Sequence, residues 1–184
     1  MATGTEPQSY SGPQKLLHWL ITLMVMMLAP IGFYMVERGE KTNFDALTNT
    51  LYTNHKTFGF LFLMLVALRI VIRSRRGVPA PVPTLTRFER LASEAVHKGL
   101  YALMVLVPLL GWAGVSAFPA RGILFGLSLP PIMPVNADLA KVILELHGYA
   151  AVAMLVLIAA HFAGAMMHRF VRKDGVMRRM MPGT

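Results

Sequence analysis

Two histidines in the last apolar stretch of the chain, His147 and His161, have the residue type and the spacing that could hold two cofactors. Along an α-helix their separation of fourteen residues rises about 21 Å and completes nearly a whole number of turns, so both imidazoles point in nearly the same direction. The hydrocarbon core of a bilayer is about 30 Å thick, so one helix would carry a nitrogen ligand near each membrane face. Because ionisable groups are costly inside a membrane, this pair indicates a functional site.

The composition of the chain is that of an integral membrane protein. Hydrophobic residues make up 55% of its 184 residues and the mean hydropathy is +0.53, which is too apolar for an ordinary soluble domain. The chain has no cysteine. This excludes disulfides, thiolate-bound zinc, iron–sulfur clusters and covalently attached c-type haem.

Four apolar stretches are each close to the roughly 20 residues that a helix needs to cross a bilayer. They cover residues 16–36, 51–72, 97–118 and 144–167. We therefore predict a single all-α membrane domain over residues 1–184, folded as a four-helix bundle.

The links between the predicted spans differ in character. Three prolines in residues 75–83 prevent a continuous helix after the second span. Residues 86–94 could form a short interfacial helix that leads into the third span. The long loop at 119–139 contains an apolar piece, residues 123–129, which could lie over a cofactor as a lid.

The basic residues are distributed unevenly along the predicted topology. Thirteen of the 18 Lys and Arg residues lie before the first span, around the link between the second and third, or after the fourth, and five lie on the opposite side. By the positive-inside rule both termini are cytoplasmic. The net charge of +9 is therefore interpreted as a topology signal with attraction to anionic lipid, and not as a nucleic-acid surface.

The predicted topology places only two histidines near the outer face, His55 and His147. Any cofactor that bridges two helices at that level must therefore use both of them. Near the cytoplasmic face, His161 has three possible partners. His18 is favoured, because it opens an apolar helix beside Trp19. The others are His168, which is expected near the headgroups, and His97, which is flanked by Lys98 and expected to be solvated.

Two imidazoles at each level favour haem b over zinc. Bis-imidazole ligation from facing helices is a recurring way to hold haem inside a bundle, whereas structural zinc requires four ligands in tetrahedral geometry. Small residues in the spans would let a macrocycle or another helix approach closely; they are Gly59, Gly111, Gly114 and Gly164. Arg69, Arg73 and Lys56 could pair with haem propionates, and the methionines are expected to be apolar filler.

Several short motifs, in a fixed order from Gln14 to Pro182, resemble the bacterial cytochrome b-561 family of four-helix di-haem membrane proteins. The motifs are His18-Trp19 opening the first span; His55 with Gly59 in the second; His97, Tyr101, Pro108 and Gly111 in the third; Phe125 to Pro130 in the outer loop; His147, His161 and His168 in the fourth; and the terminal sequence Arg179 to Pro182.

The resemblance implies a multi-pass protein of the bacterial inner membrane with two haem b groups, whose axial ligands are His18, His55, His147 and His161. It also implies electron exchange with ubiquinone on the cytoplasmic side, where His168 could contact the quinone. In at least one branch of the family, superoxide is oxidised at the outer face. The outer loops here are formally neutral, so steering of such an anion would depend on local cations; the candidates are Lys56, Arg121 and Lys141.

Two other hypotheses remain open from the sequence. The chain could be the haem b membrane subunit of a larger respiratory enzyme such as a hydrogenase or formate dehydrogenase, although short termini and modest outer loops argue mildly against a large docking surface. It could also be a non-redox membrane protein, which would be colourless when purified. Lipid, a quinone and a small outer-face electron donor are the expected partners, and a homodimer is possible.

Overall fold

The computed structural model of the chain describes residues 9–182 and consists mainly of four long helices. They are α1 (Gly12–Thr42), α2 (Ala46–Arg76), α3 (Arg87–Ala117) and α4 (Ala137–Met166). A π-helical turn at Met167–Arg172 continues α4, and a short 3-10 helix follows at Met177–Met180. Within the described residues there is no strand, only an isolated bridge between Gly122 and Ser128. The prediction of an all-α membrane bundle is confirmed.

Polar side chains cap the first turns of three helices. Asp45 accepts a hydrogen bond from the Thr48 amide at the start of α2, and Asn136 accepts one from the Leu139 amide at the start of α4. At the start of α3, Thr86 and Glu89 form a reciprocal capping box. These bonds satisfy amide groups that the first turn of a helix leaves without a partner.

The helices extend beyond the predicted spans, and one predicted boundary is wrong. Residues 86–94 do not form a separate interfacial helix, because α3 runs without interruption from Arg87 to Ala117. Thr86 is its cap, and the sequence between Arg87 and His97 contains neither proline nor glycine to break it. The third helix therefore begins ten residues before the predicted span, and its first three turns are more polar than the rest.

A small apolar core holds the four helices together. Its most buried members include Ile21 and Val25 of α1, Phe62 and Val66 of α2, and Met154 of α4. The most extensive packing is between α3 and α4 and between α1 and α2. All four helices are long and apolar enough to cross a membrane, yet most of their apolar residues face outward. This is the surface that lipid contact requires.

Both ends of the described chain lie at one end of the bundle, which we call the terminal end. The Tyr10 amide donates to the Arg179 carbonyl, and the Arg179 side chain donates to the Ala80 carbonyl in the link between α2 and α3. The opposite, loop end carries the turn at residues 43–45 and the long loop at residues 118–136.

The apolar piece of the long loop is folded back on itself and attached to α2. The Ile123 amide donates to the Leu127 carbonyl, and the Leu124 amide donates to the Thr57 hydroxyl. At its other end, the Trp112 indole of α3 donates to the Pro130 carbonyl. The loop is therefore fixed to α2 at Thr57, two residues after His55, and to α3 at Trp112.

Candidate functional site

The structure brings His55 of α2 and His147 of α4 together near the loop end, and we call them the loop-end pair. Their ring centres are 6.1 Å apart, and the rings are nearly perpendicular, at 89°. Both side chains are half-buried. This is the pairing that the sequence predicted from depth alone.

A glycine on the facing helix provides the space for each ring of the loop-end pair. A Cβ added at Gly32 of α1 would lie 3.1 Å from Cε1 of His55, and one added at Gly111 of α3 would lie 3.2 Å from Cε1 and Nδ1 of His147. Any larger residue would push against the imidazole at both places. Gly111 therefore leaves room for the ring of His147. Gly32 does the same for the ring of His55, which was not predicted.

The orientation of His147 is fixed by the backbone. Its Nδ1 lies 2.8 Å from the carbonyl oxygen of Val107. Because a carbonyl can only accept, Nδ1 carries the proton, which leaves Nε2 as the nitrogen that can bind a metal. The equivalent atom of His55, Nδ1, is buried and makes no hydrogen bond. The ring of His55 is therefore less firmly fixed than that of His147.

A cavity opens between the two rings. Its volume is about 70 Å³. His55, His147 and Gly59 line it, and the remaining lining is mostly apolar. A Cβ added at Gly59 would contact no protein atom, so this glycine faces open space, as expected for the cradle of a flat group.

The second pair, His18 of α1 and His161 of α4, lies near the terminal end, and we call it the terminal-end pair. The ring centres are 6.2 Å apart with an angle of 42° between the planes. The Thr22 hydroxyl donates a hydrogen bond to the carbonyl of His18. The hydroxyl oxygen can therefore only accept a hydrogen bond from Nδ1 of His18, which lies 3.4 Å away. The proton of His18 therefore lies on Nδ1, and Nε2 is again the free nitrogen.

Both ring separations fit one iron between two imidazoles. A metal–imidazole bond is about 2 Å long and the ring centre lies about 1 Å behind the nitrogen, so two axial rings have centres about 6 Å apart. Among residues 9–182, no group of three or more His, Asp or Glu side chains could hold a bare metal ion. Two nitrogens at each level therefore suit a haem, whose macrocycle supplies the remaining four ligands.

His97 of α3, one of the three histidines that the sequence placed at the depth of His161, lies beside the terminal-end pair. Its ring centre is 5.0 Å from that of His161, nearly perpendicular to it, and its Nδ1 donates to the Ser93 carbonyl at 2.6 Å. The side chain is exposed. This exposure agrees with the solvation that the flanking Lys98 led us to expect, although the ring also contacts that of His161.

Arg69 is a buried cation at the terminal end, with only 8% of its surface exposed. Its Nη1 donates to the Gln14 carbonyl at 2.7 Å, and its Nε donates to the Tyr101 hydroxyl at 3.2 Å. Arg73, one turn further along α2, lies over the Tyr101 ring with its guanidinium carbon 5.4 Å from the ring centre. The two arginines predicted as haem contacts thus link α2 to α1 and α3 beside the terminal-end pair.

Just beyond α4, His168 forms a part-buried hydrogen bond with Asp174. Its Nδ1 lies 2.6 Å from Oδ2 of Asp174, and the exposed fractions of the two side chains are 13% and 6%. Burial raises the pKa of Asp174, but hydrogen bonds from the Val176 amide and His168 outweigh it, and the net pKa is lowered. The pair is built on the π-helical turn, a feature that is frequent at functional sites. The sequence indicated His168 but not its partner.

The cations at the loop end are largely engaged by protein groups. Lys56 donates to the Ala120 carbonyl and Arg121 to the Leu129 carbonyl, each at 2.8 Å. Two more cations are in ion pairs, Arg38 with Asp45 and Lys41 with Glu37. Lys141, the third residue predicted to steer a substrate, is exposed on α4.

Comparison with known proteins gives a consistent result. A family model described as prokaryotic cytochrome b561 matches residues 9–183. The chain is 26% identical over 182 residues to "Cytochrome b561 homolog 2" of Escherichia coli K12, covering 98% of this chain and 95% of the relative. It is 29% identical over 176 residues to "Probable superoxide oxidase CybB" of Yersinia pestis, covering 95% and 97%. A third relative, "Cytochrome b562" of Cereibacter sphaeroides, is 28% identical over 186 residues, covering 96% of this chain and 98% of the relative.

Proposed function

We propose that this chain, which belongs to the prokaryotic cytochrome b561 family, holds two haem b groups and transfers electrons across the membrane from a donor at the loop end to ubiquinone at the terminal end. Family membership supports a membrane haem b protein of electron transport. The observation that carries the finer proposal is the presence of two histidine pairs, with ring centres 6.1 and 6.2 Å apart, at two depths of one bundle.

Haem b, when bound, supplies one-electron chemistry through the ferric and ferrous states of its iron. The chain's own residues hold and orient it. The hydrogen bond from His147 to Val107 and that from His18 to Thr22 fix the tautomer that leaves Nε2 free for iron. Gly59 leaves room beside His55 for the macrocycle. The apolar core between the two pairs excludes water from the path.

The direction across the membrane follows from charge. The terminal end carries the termini and the link between α2 and α3, where most of the 18 Lys and Arg residues lie. By the positive-inside rule this end faces the cytoplasm. A donor at the loop end is then on the outer side, and an acceptor at the terminal end can take protons from the cytoplasm.

Superoxide is our first candidate for the donor, because the Yersinia pestis relative is named a probable superoxide oxidase. The loop end gives such an anion little general attraction, since Arg38 and Lys41 are in ion pairs with acidic residues. Lys56 and Arg121 are partly buried and hold the long loop. Electrostatic steering of superoxide therefore depends on Lys141 and on the exposed parts of Lys56 and Arg121. We expect the rate of haem reduction by superoxide to depend only weakly on salt concentration.

Ubiquinone is the proposed acceptor because it dissolves in the membrane and can reach the terminal-end pair from the lipid. His168, held at Nδ1 by Asp174, has Nε2 available for a quinone oxygen. Reduction of one quinone needs two electrons and two protons, so the chain must turn over twice for each quinol.

An optical and kinetic experiment tests this function. Purified protein should give a reduced-minus-oxidised spectrum of b-type haem, and rapid mixing with superoxide should reduce that haem and then pass electrons to a soluble ubiquinone analogue. A protein without a b-type spectrum would rule out the proposal. A protein with haem that superoxide does not reduce would keep the conduit and exclude this donor.

A second candidate function is that of a haem-carrying membrane subunit in a larger respiratory enzyme. It is favoured by one observation, the apolar side chains that the long loop exposes at the loop end. Phe125 is 92% exposed and adopts a left-handed backbone conformation, with φ of 63°, and Leu127 is 60% exposed. A partner that co-purifies at a fixed ratio after mild solubilisation would support this function over the first.

A further inference from the structure

Arg69 is a permanent charge inside the apolar part of α2. An arginine side chain is not deprotonated in proteins, and a charge within a membrane span is costly, so it is retained for a function. Its hydrogen bonds to the Gln14 carbonyl and the Tyr101 hydroxyl hold it in place. Neither partner carries a negative charge, and no carboxylate of residues 9–182 forms an ion pair with it.

This charge acts on the terminal-end pair. Arg69 bonds to Gln14, one turn before His18 on α1, and to Tyr101, one turn after His97 on α3. The His97 ring centre is 5.0 Å from that of His161, so the guanidinium lies beside the terminal-end pair. The side chain is 8% exposed, so solvent screens this interaction only weakly.

The loop-end pair lacks an equivalent charge within the described part of the chain. The rings of His55 and His147 face one another, and Nδ1 of His147 lies 2.8 Å from the Val107 carbonyl. No Lys or Arg of the described residues is buried at the loop end. The cation nearest in sequence, Lys56, instead donates to the Ala120 carbonyl of the long loop. The two pairs thus have similar ring separations and different electrostatic surroundings.

We propose that Arg69 raises the reduction potential of the terminal-end haem above that of the loop-end haem, and so makes electron transfer toward the terminal end favourable. The inference rests on the proposed function. Reduction adds one negative charge to the haem, and a nearby buried cation stabilises the reduced state over the oxidised one. In the transfer the loop-end iron loses one electron, the terminal-end iron gains the same electron, and no proton moves.

The choice of arginine fits this role. A buried lysine can lose its proton and its charge, whereas an arginine keeps its charge at every physiological pH. The two acceptors, Gln14 and Tyr101, lie on two different helices. The guanidinium is therefore fixed relative to the terminal-end pair. Arg69 is therefore an electrostatic positioning residue and not a ligand.

The test is a redox titration of the purified holoprotein, followed optically, with each haem assigned by the variants His55→Ala and His161→Ala. Arg69→Gln should lower the potential of the terminal-end haem and leave that of the loop-end haem unchanged. We expect the equilibrium constant for transfer toward the terminal end to fall about tenfold, which is about 59 mV for a one-electron couple. Arg69→Lys should leave the reduction potential of the terminal-end haem close to that of the unaltered protein.

Arg73→Gln is the matched control, because it removes the same charge one turn away on the same helix, from a side chain that is less buried and that lies over the Tyr101 ring. It should change the equilibrium constant less than threefold. Equal effects of the two variants, equal shifts of both haems, or no shift with Arg69→Gln would overturn the proposal.

The titration of the unaltered protein keeps the proposal testable even if Arg69→Gln does not fold. The terminal-end haem should be the one with the more positive potential, and the reverse order would overturn the inference while leaving the two-haem function intact. Absence of any b-type spectrum in the unaltered protein would instead overturn the proposed function, and the inference with it.

Discussion

The two histidine pairs have nearly the same ring separation but are held by different parts of the protein. Backbone features surround the loop-end pair: the glycines at positions 32 and 111, and the carbonyl oxygen of Val107. Side chains surround the terminal-end pair, namely the Thr22 hydroxyl, the His97 ring and the buried guanidinium of Arg69. The comparison teaches that a similar separation of two imidazoles can be built in an apolar setting or in a charged one, and that the setting then distinguishes the two pairs.

The largest effect should come from removing one histidine of each pair. His147→Ala should abolish the spectral signal of one haem and leave the other, and His161→Ala should do the reverse, because each pair lies at its own level. The two variants are compared by their reduced-minus-oxidised spectra. Loss of both signals in either variant would show that the two sites are not independent.

A smaller change tests whether the cavity beside the loop-end pair holds the macrocycle. Gly59 and Gly148 both have open space where a Cβ would lie, so alanine at either position should stabilise the helix by up to about 1 kcal/mol. Only Gly59 lines the cavity. We expect Gly59→Ala to reduce haem occupancy at the loop end at least twofold and Gly148→Ala to leave it unchanged, as measured by haem per protein.

The contact between Gly111 and His147 gives a related prediction with a different cause. In Gly111→Ala the new Cβ would lie 3.2 Å from the His147 ring, so the ring must shift and its bond to Val107 must lengthen. We expect a broadened spectrum and weakened binding of the loop-end haem, with the terminal-end signal unaltered. An unchanged spectrum at low temperature would show that the ring adapts without cost.

At the terminal end, Asp174→Asn should impair quinone reduction without removing haem. The buried carboxylate holds His168 at Nδ1, and an amide at this position gives a weaker, uncharged hydrogen bond. We expect kcat with a ubiquinone analogue to fall about tenfold, as loss of a charge-assisted bond of about 1.5–3 kcal/mol allows, and the pH profile to move. Asp174→Glu should restore part of the rate. A normal rate and profile in Asp174→Asn would remove the pair from the acceptor site.

The smallest effect concerns Glu89 at the start of α3, which lies outside the apolar spans. A hydrogen bond from the Thr86 amide, and others from Arg172 and the Thr86 hydroxyl, lower its pKa to about 2. A depressed pKa stabilises the fold above pH 4.5, and this contribution is lost as the pH falls from about 4.5 to 2. Thermal unfolding should therefore show a smaller loss of stability across this range in Glu89→Gln than in the unaltered protein. An identical pH dependence would contradict this assignment.

The sequence predicted much of the site because depth and spacing are encoded directly. Fourteen residues separate His147 and His161 on α4, and the charge pattern left only His55 as a partner for His147. The partner of His161 could not be chosen in this way, because three histidines lie near the same depth, and family resemblance favoured His18. The structure places His18 at 6.2 Å from His161 and His97 at 5.0 Å. His97 is therefore adjacent to the pair although its flanking residues are polar.

Other features depend on contacts between distant segments, which a single sequence does not reveal. Arg69 was predicted as a haem contact, but its bond to the Gln14 carbonyl joins residues 55 positions apart. Gly32 has no sequence signal that links it to His55, since the two lie on neighbouring helices. The continuous start of α3 was missed for a different reason, because a polar helical segment before an apolar one resembles an interfacial helix.

The central claim is that each chain holds two b-type haems, one at each histidine pair. The most direct measurement is the molar ratio of extracted haem b to protein in the purified, fully loaded chain. We predict two haems per chain, falling to one in His55→Ala and to one in His161→Ala. A ratio of one or less in the unaltered protein, after reconstitution with excess haem, would contradict the account.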